Sequence, residues 1–182
     1  MTAEEIFSLI SAHMVEGLMF HAQMADYYCF LGLKGYSKCH EYHYLSESCN
    51  FRKLSKYYLK HYNKLIASKT TTDPKAIPDS WFKYTRQDVD INTRKSSIQA
   101  GQERWVKWEN DTKIYYSKMY QELMVIGDVA GAMELKKYIE DVDDELAEAK
   151  QRHLETKAID FNISDIMNVQ EELHKKYSKK MK

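Results

Sequence analysis

His40, Glu41, His43, Glu47, Cys49 and Asn50 all fall within the eleven residues "HEYHYLSESCN" (40–50). Imidazoles and carboxylates in such density can hold a transition-metal ion, because nitrogen and oxygen donors together suit iron, zinc or copper. The same stretch could equally be the wet side of a helix. Counting about 100° per residue separates the two. With Glu47 at zero, His40 falls at about 20°, Tyr44 at about 60°, Phe51 at about 40°, and Leu54 and His43 at about −20° and −40°. Glu47, His40 and His43 therefore project from the side that carries the apolar stripe, while Glu41 and Ser48 point elsewhere. An ionisable Glu inside an apolar stripe is costly unless it is paired or metal-bound.

Other reaction signatures are missing. The chain has no phosphate-binding glycine loop, no G-x-S-x-G and no H-E-x-x-H, and His40 and His43 are three apart where a zinc protease needs four. Cys29, Cys39 and Cys49 are odd in number without C-x-x-C spacing, so buried, inert thiols are expected and not a disulfide or structural zinc framework.

The elements that must position these side chains follow from periodicity. With 182 residues the chain fits one domain, 1–182, with a substantial core. Six glycines and two prolines, both prolines within 74–78, predict long helices. The first helix is expected over 3–31, with Ile6, Leu9, Ile10, His13, Gly17, Phe20, Met24, Tyr28 and Leu31 on one stripe. "GLKG" (32–35) reads as a short loop with glycine at each end. A second helix starts near Ser37 and runs to about 68, with Tyr44, Phe51, Leu54, Tyr58 and Leu65 inward. "TTTDPKAIPDSW" (70–81) then breaks the pattern, and the irregular stretch lasts over about 69–92, long enough to need a reason.

A third helix over roughly 92–126 carries Ile98, Trp105, Trp108, Thr112, Tyr116, Met119 and Leu123 inward. Gly127 suits the residue after its end, and Asp128 suits the cap of a fourth helix over about 129–157. "NISDIMNVQEELHKKY" predicts a short fifth helix over about 163–180, with Ser164 as its cap. Short, long and short connections mean antiparallel neighbours with a single crossover, which must travel about 40 Å at 1.5 Å per residue.

This order of elements resembles the ferritin-like superfamily: an all-α four-helix bundle with a long crossover between helices 2 and 3 and a short fifth helix. "GDVAGAMELKKYIEDVDDEL" (127–146) is similar to that family's fourth helix. The resemblance implies a di-iron centre in the bundle core, built from one Glu on each of two helices and a Glu-x-x-His pair on each of the others. Carried onto this chain, it implies Glu16 on the first helix, Glu47 and Asn50 on the second, Glu109 on the third and Glu145 on the fourth. Asn50 stands where the pair needs a histidine, and His43, one turn earlier, could substitute. On the fourth helix the first ligand position is nearest Val142 and the histidine position is nearest Glu145. Asp141 and Asp144 offer a second pair facing further from the core.

Other groups have plainer readings. His13 and His21 suit hydrogen-bonded core histidines, His61 and His174 the solvent side, and His153 packing. Most of the 14 tyrosines suit core filling with hydroxyls that reach partners. Lys plus Arg and Asp plus Glu are each 27, so no global field draws the chain to nucleic acid. No apolar run is long enough for a membrane span, and the acidic start lacks a signal peptide's basic region, so a cytoplasmic protein is expected.

Two functions remain open. One is metal handling: iron binding with ferrous oxidation or storage, dioxygen as co-substrate, in a homo-oligomer. The other is a non-enzymatic bundle with a degenerate site, used for assembly or binding through Trp81, Phe82 and Tyr84 of the crossover.

Overall fold

The computed structural model describes residues 1–66, 77, 85 and 89–181. It contains five helices: α1 (Ala3–Phe30), α2 (Lys34–Tyr62), α3 (Ile91–Val125), α4 (Val129–Ala158) and α5 (Ile163–Lys180). Most bounds match the periodicity within a residue or two. The exceptions are the two ends of α2: it begins at Lys34, three residues before the expected start, and Asn63 takes a left-handed conformation (φ 51°) and stops the helix at Tyr62. Leu65, foreseen inside, lies beyond that stop and is exposed. The proposed crossover falls mostly outside the described residues, as do Trp81, Phe82 and Tyr84.

Local chemistry accounts for the helix starts. Thr2 and Glu5 form a reciprocal capping box on α1, with Glu5 N donating to Thr2 Oγ1 at 3.2 Å. Asp90 caps α3 through Thr93 N at 2.7 Å, and Asp128 caps α4 as expected through Gly131 N at 3.0 Å. The cap of α5 is Asn162, whose Oδ1 accepts from Ser164 N at 2.9 Å. Ser164, the expected cap, lies just inside the helix.

Gly127 takes a positive φ (77°) after α3, as its place in the sequence suggested. Gly35 does not end a loop. It lies inside α2, where a Cβ would stand 1.8 Å from the Gln170 carbonyl oxygen of α5. The missing side chain lets two helix backbones meet, and Gly35 N donates to Gln170 Oε1 at 2.9 Å.

Packing fixes the directions. The start of α1 (Ile6, Phe7, Ile10) shares one apolar cluster with the end of α2 (Leu54, Tyr58), the end of α3 (Met119, Leu123) and the start of α4 (Ala132, Leu135). The end of α1 (Met24, Tyr27, Tyr28) shares another with the starts of α2 and α3 (Tyr36, Ile98) and with Ile166, Leu173 and Tyr177 of α5. So α1 and α4 run one way, α2 and α3 the other, and α2 ends at the opposite end of the bundle from where α3 begins. Each fully buried large apolar side chain stabilises by roughly 1.5–3 kcal/mol.

Some inward assignments fail. Leu9 and Tyr44 are exposed, and Cys29 and Cys49 are on the surface, so only Cys39 is a buried thiol. Among the described residues no helix is long and apolar enough to cross a membrane.

Candidate metal centre

The two apolar clusters do not touch through the middle of the bundle. A polar layer divides them, made of His21, His40, His43, Glu47, Asn50 and Glu109, all buried, with Glu145 at 12 % exposure. α2 supplies four of these from one face, because 40, 43, 47 and 50 are three or four residues apart. The opening stretch is thus the inner side of a helix.

Glu109 on α3 is held by the helix's own Trp105, whose Nε1 donates to Glu109 Oε1 at 2.9 Å. The same oxygen lies 3.3 Å from His21 Nε2 on α1. His21 Nδ1 is 3.0 Å from His40 Nδ1, so one nitrogen of this pair donates and the other accepts. When His21 donates, its Nε2 lone pair is left facing the carboxylates, the outer-partner arrangement that orients a ligating histidine. Glu145 on α4 reaches in beside His43, with Oε1 3.2 Å from His43 Nδ1. One donor atom each from His21, Glu109 and Glu145 lies within 4.8 Å of the others.

Electrostatics follow from burial. Burial pushes His21 down to about 3, aided by His43, and holds His40 well below its ordinary value. Both are neutral imidazoles, the form that ligates. Burial raises Glu109 to about 7 and holds Glu47 well above its ordinary value, the latter aided by Glu145 and Glu109. Burial opposes the His43 cation too, but the Glu145 carboxylate outweighs it and holds His43 well above the usual range. Burial likewise opposes the Glu148 anion, yet hydrogen bonds from Lys176 and Tyr177 of α5 hold it down at about 2.

The polar atoms left unmatched show what the layer lacks. His21 Nε2, His40 Nε2, Glu145 Oε2 and both His43 nitrogens are buried without a hydrogen bond of good geometry. With His21 donating to His40, His21 Nε2 and Glu145 Oε2 are buried acceptors without a donor, and such acceptors are well matched to a cation. A neutral imidazole with two carboxylates is a donor set that suits a divalent transition metal.

The structure brings together five of the six residues singled out from the sequence: Glu47, His43, Asn50, Glu109 and Glu145. It does not bring Glu16 in. That side chain is 23 % exposed and lies 3.7 Å from His13, while the neighbouring residue on the inner face is Gly17. Gly17 makes room for Glu47, whose carboxyl carbon lies 3.5 Å from where a Cβ would be. Asn50 is engaged elsewhere, donating to Asp141 Oδ2 at 3.3 Å and accepting from Lys53 Nζ at 3.2 Å. Val142 is apolar core. His21 was the residue sequence reasoning passed over, although four residues after Gly17 places it on the buried face of α1.

These groups predict the pH dependence of the metal-free protein. Glu47, Glu109 and His43 have raised values, so their contribution is complete below the unfolded values, about 4.5 and 6.5, and is lost as pH rises through the folded ones. His21, His40 and Glu148 have lowered values, so theirs is present above the unfolded values and lost as pH falls. Between about pH 4.5 and 6.5 the proton counts of the two sets offset, and a stability plateau is expected there. Outside it, stability falls by about 1.4 kcal/mol per pH unit for each unmatched proton. Urea midpoints measured in chelator across pH 3.5–8.5 check this. A midpoint that climbs steadily to pH 8.5 would contradict it.

Set against known proteins, no family model and no curated protein sequence matches the chain. Solved structures do. A humanized archaeal ferritin superposes with a TM-score of 0.76 at 17% identity over 94% of both chains. An open-pore ferritin from the hyperthermophilic archaeon Archaeoglobus fulgidus gives 0.76 at 16% identity over 93% of each. The fold is ferritin-like. A closed form of the Archaeoglobus fulgidus ferritin, engineered by site-directed mutagenesis, matches over 96% of both chains with a TM-score of 0.75 at 15% identity. Identity this low shows the ferritin-like fold alone and leaves the function to the residues of the polar layer.

Proposed function

We propose that this ferritin-like bundle binds a transition-metal cation, ferrous iron first, in the buried layer between its two apolar clusters. The observation that carries the reading is the convergence of His21, Glu109 and Glu145 from three helices, with His21 Nε2 and Glu145 Oε2 left unmatched. Glu109 and Glu145 would supply negative charge, His21 a neutral nitrogen, and His40 the partner that fixes the His21 tautomer. Ferrous oxidation, with the electron passing to dioxygen, is the reaction the ferritin likeness suggests for an ion held there. The structurally similar archaeal ferritins include an open-pore ferritin and an engineered closed form, and we extend homo-oligomerisation to this chain on that ground.

A second reading is favoured by a specific pair of observations: Gly17 provides no ligand and Asn50 is tied to Lys53 and Asp141. Here the layer is the remnant of a site on a bundle used for assembly or binding. Anaerobic ferrous loading, desalting and elemental analysis separate the two. Iron retained in proportion to protein is the expected result. Iron content no higher than that of an unrelated protein carried through the same column would establish the second reading.

A further inference from the structure

The proposed reading leaves open how many ions the layer takes and of what kind; the side chains decide both. We infer that the centre holds one borderline divalent cation per chain, on His21, Glu109 and Glu145, and not a pair of ions. The inference rests on the metal-binding reading above and narrows it.

Three observations carry it. First, among the described residues only His21, Glu109 and Glu145 bring three such donors close enough to share an ion. Donors about 2.0–2.2 Å from a common ion are at most about 4.4 Å apart; one donor atom from each of the three lies within 4.8 Å of the others, and His21 Nε2 is 3.3 Å from Glu109 Oε1.

Second, the donors a neighbouring ion would need are missing or occupied. α1 offers Gly17 opposite Glu47, and no carboxylate. The Asn50 oxygen accepts from the Lys53 ammonium, so a cation there would meet a positive charge. His43 lies between Glu145 at 3.2 Å and Glu148 at 3.8 Å, packed against Trp105 and Tyr177, and so faces acidic partners on both sides.

Third, charge and donor type select the ion. Two carboxylates neutralise a divalent cation, whereas a trivalent one would leave net charge in a layer closed above and below by apolar side chains. The imidazole nitrogen favours ferrous, cobaltous or zinc ions over magnesium or calcium, which prefer oxygen. The approach is lateral: a cleft of ≈ 320 Å³ lined by His43, Asn50, Asp141, Asp144, Glu145 and Glu148 opens between α2 and α4. Glu145 belongs both to this cleft and to the ligand group, so an ion could reach the donors from this side.

Cobaltous ion is the probe, because its visible absorption reports the ligand field and it does not oxidise readily. Anaerobic titration of the full chain, with bound metal counted by equilibrium dialysis, is expected to break at one cobalt per chain. Excess magnesium should leave the spectrum unchanged, and His21→Ala and His21→Asn should both remove it. Circular dichroism of the two variants in chelator confirms that they remain folded, and the dialysis count on the parent chain stands without them. A break at two per chain would overturn the inference while leaving the metal-binding reading intact. One cobalt per chain with an unchanged spectrum in the His21 variants would also overturn it. No bound cobalt, together with no retained iron, would overturn both.

Discussion

Glu109→Gln is expected to lower the affinity for the cation by at least about 100-fold, near 3 kcal/mol at 1.4 per tenfold. Loss of an outer partner of a ligand typically costs 10–100-fold, and Glu109 is placed as a ligand itself. The substitution is chosen because it keeps the shape. Gln Oε1 can still accept from Trp105 Nε1, the 2.9 Å bond that orients the side chain. What changes is charge. In the metal-free protein burial raises Glu109 to about 7, so its contribution to stability is complete below its unfolded value, about 4.5, and is lost as pH rises from there through about 7. Metal-free Glu109→Gln should therefore match the parent near pH 4.5, gain on it as pH rises toward 7, and be more stable at pH 8. Competition against a chromophoric chelator measures the first effect, and denaturation midpoints in chelator measure the second. An affinity within a factor of about three of the parent would remove Glu109 from the site.

Gly35→Ala should produce the largest loss of stability. Its Cβ would stand 1.8 Å from the Gln170 carbonyl oxygen, 2.6 Å from the carbonyl carbon and 2.8 Å from Cα. All three are backbone atoms, so no rotamer change relieves the overlap and α5 must move away from α2. Overpacking costs about 1–3 kcal/mol. The Gly35 N–H bond to Gln170 at 2.9 Å contributes about 1 more. A total of about 3 kcal/mol or above is expected, since the burial of Ile166, Leu173 and Tyr177 is disturbed as well. The effect should reach the metal layer, because Lys176 and Tyr177 hold Glu148 beside His43. Hydrogen exchange should show α5 amides losing protection before the other helices. An unchanged unfolding midpoint with protected α5 amides would mean that the two backbones are further apart than the contact requires.

Much of the architecture could be read directly from periodicity, since long amphipathic helices announce their inner faces over many turns. The inner face of α2 is a good example: His40, His43, Glu47 and Asn50 are all buried, as their angles required. What escaped were features that depend on distant partners. Gly35 looks like a loop glycine until Gln170, 135 residues later, is packed against it. Glu16 is the nearest carboxylate to the expected ligand position, but a rotation of α1 by one residue decides whether Glu16 or Gly17 faces Glu47. A glycine gives no chemical signal of the space it leaves. His21 lies on the buried stripe, yet a lone histidine there reads equally as packing until Glu109 and His40 are brought beside it. Tyr44, Leu9, Cys29 and Cys49 were assigned to the interior from type and spacing, and their exposure shows how narrow the buried sector is on the outer side of each helix.

The central claim is that a cation sits between His21, Glu109 and Glu145, and anomalous diffraction from crystals loaded with ferrous or cobaltous ion tests it most directly. The account predicts a peak about 2.0–2.2 Å from His21 Nε2 and from one oxygen of each carboxylate, with the ring of His40 hydrogen-bonded behind His21. A peak only among the outer carboxylates of the α2–α4 cleft, or none in the polar layer, would contradict it.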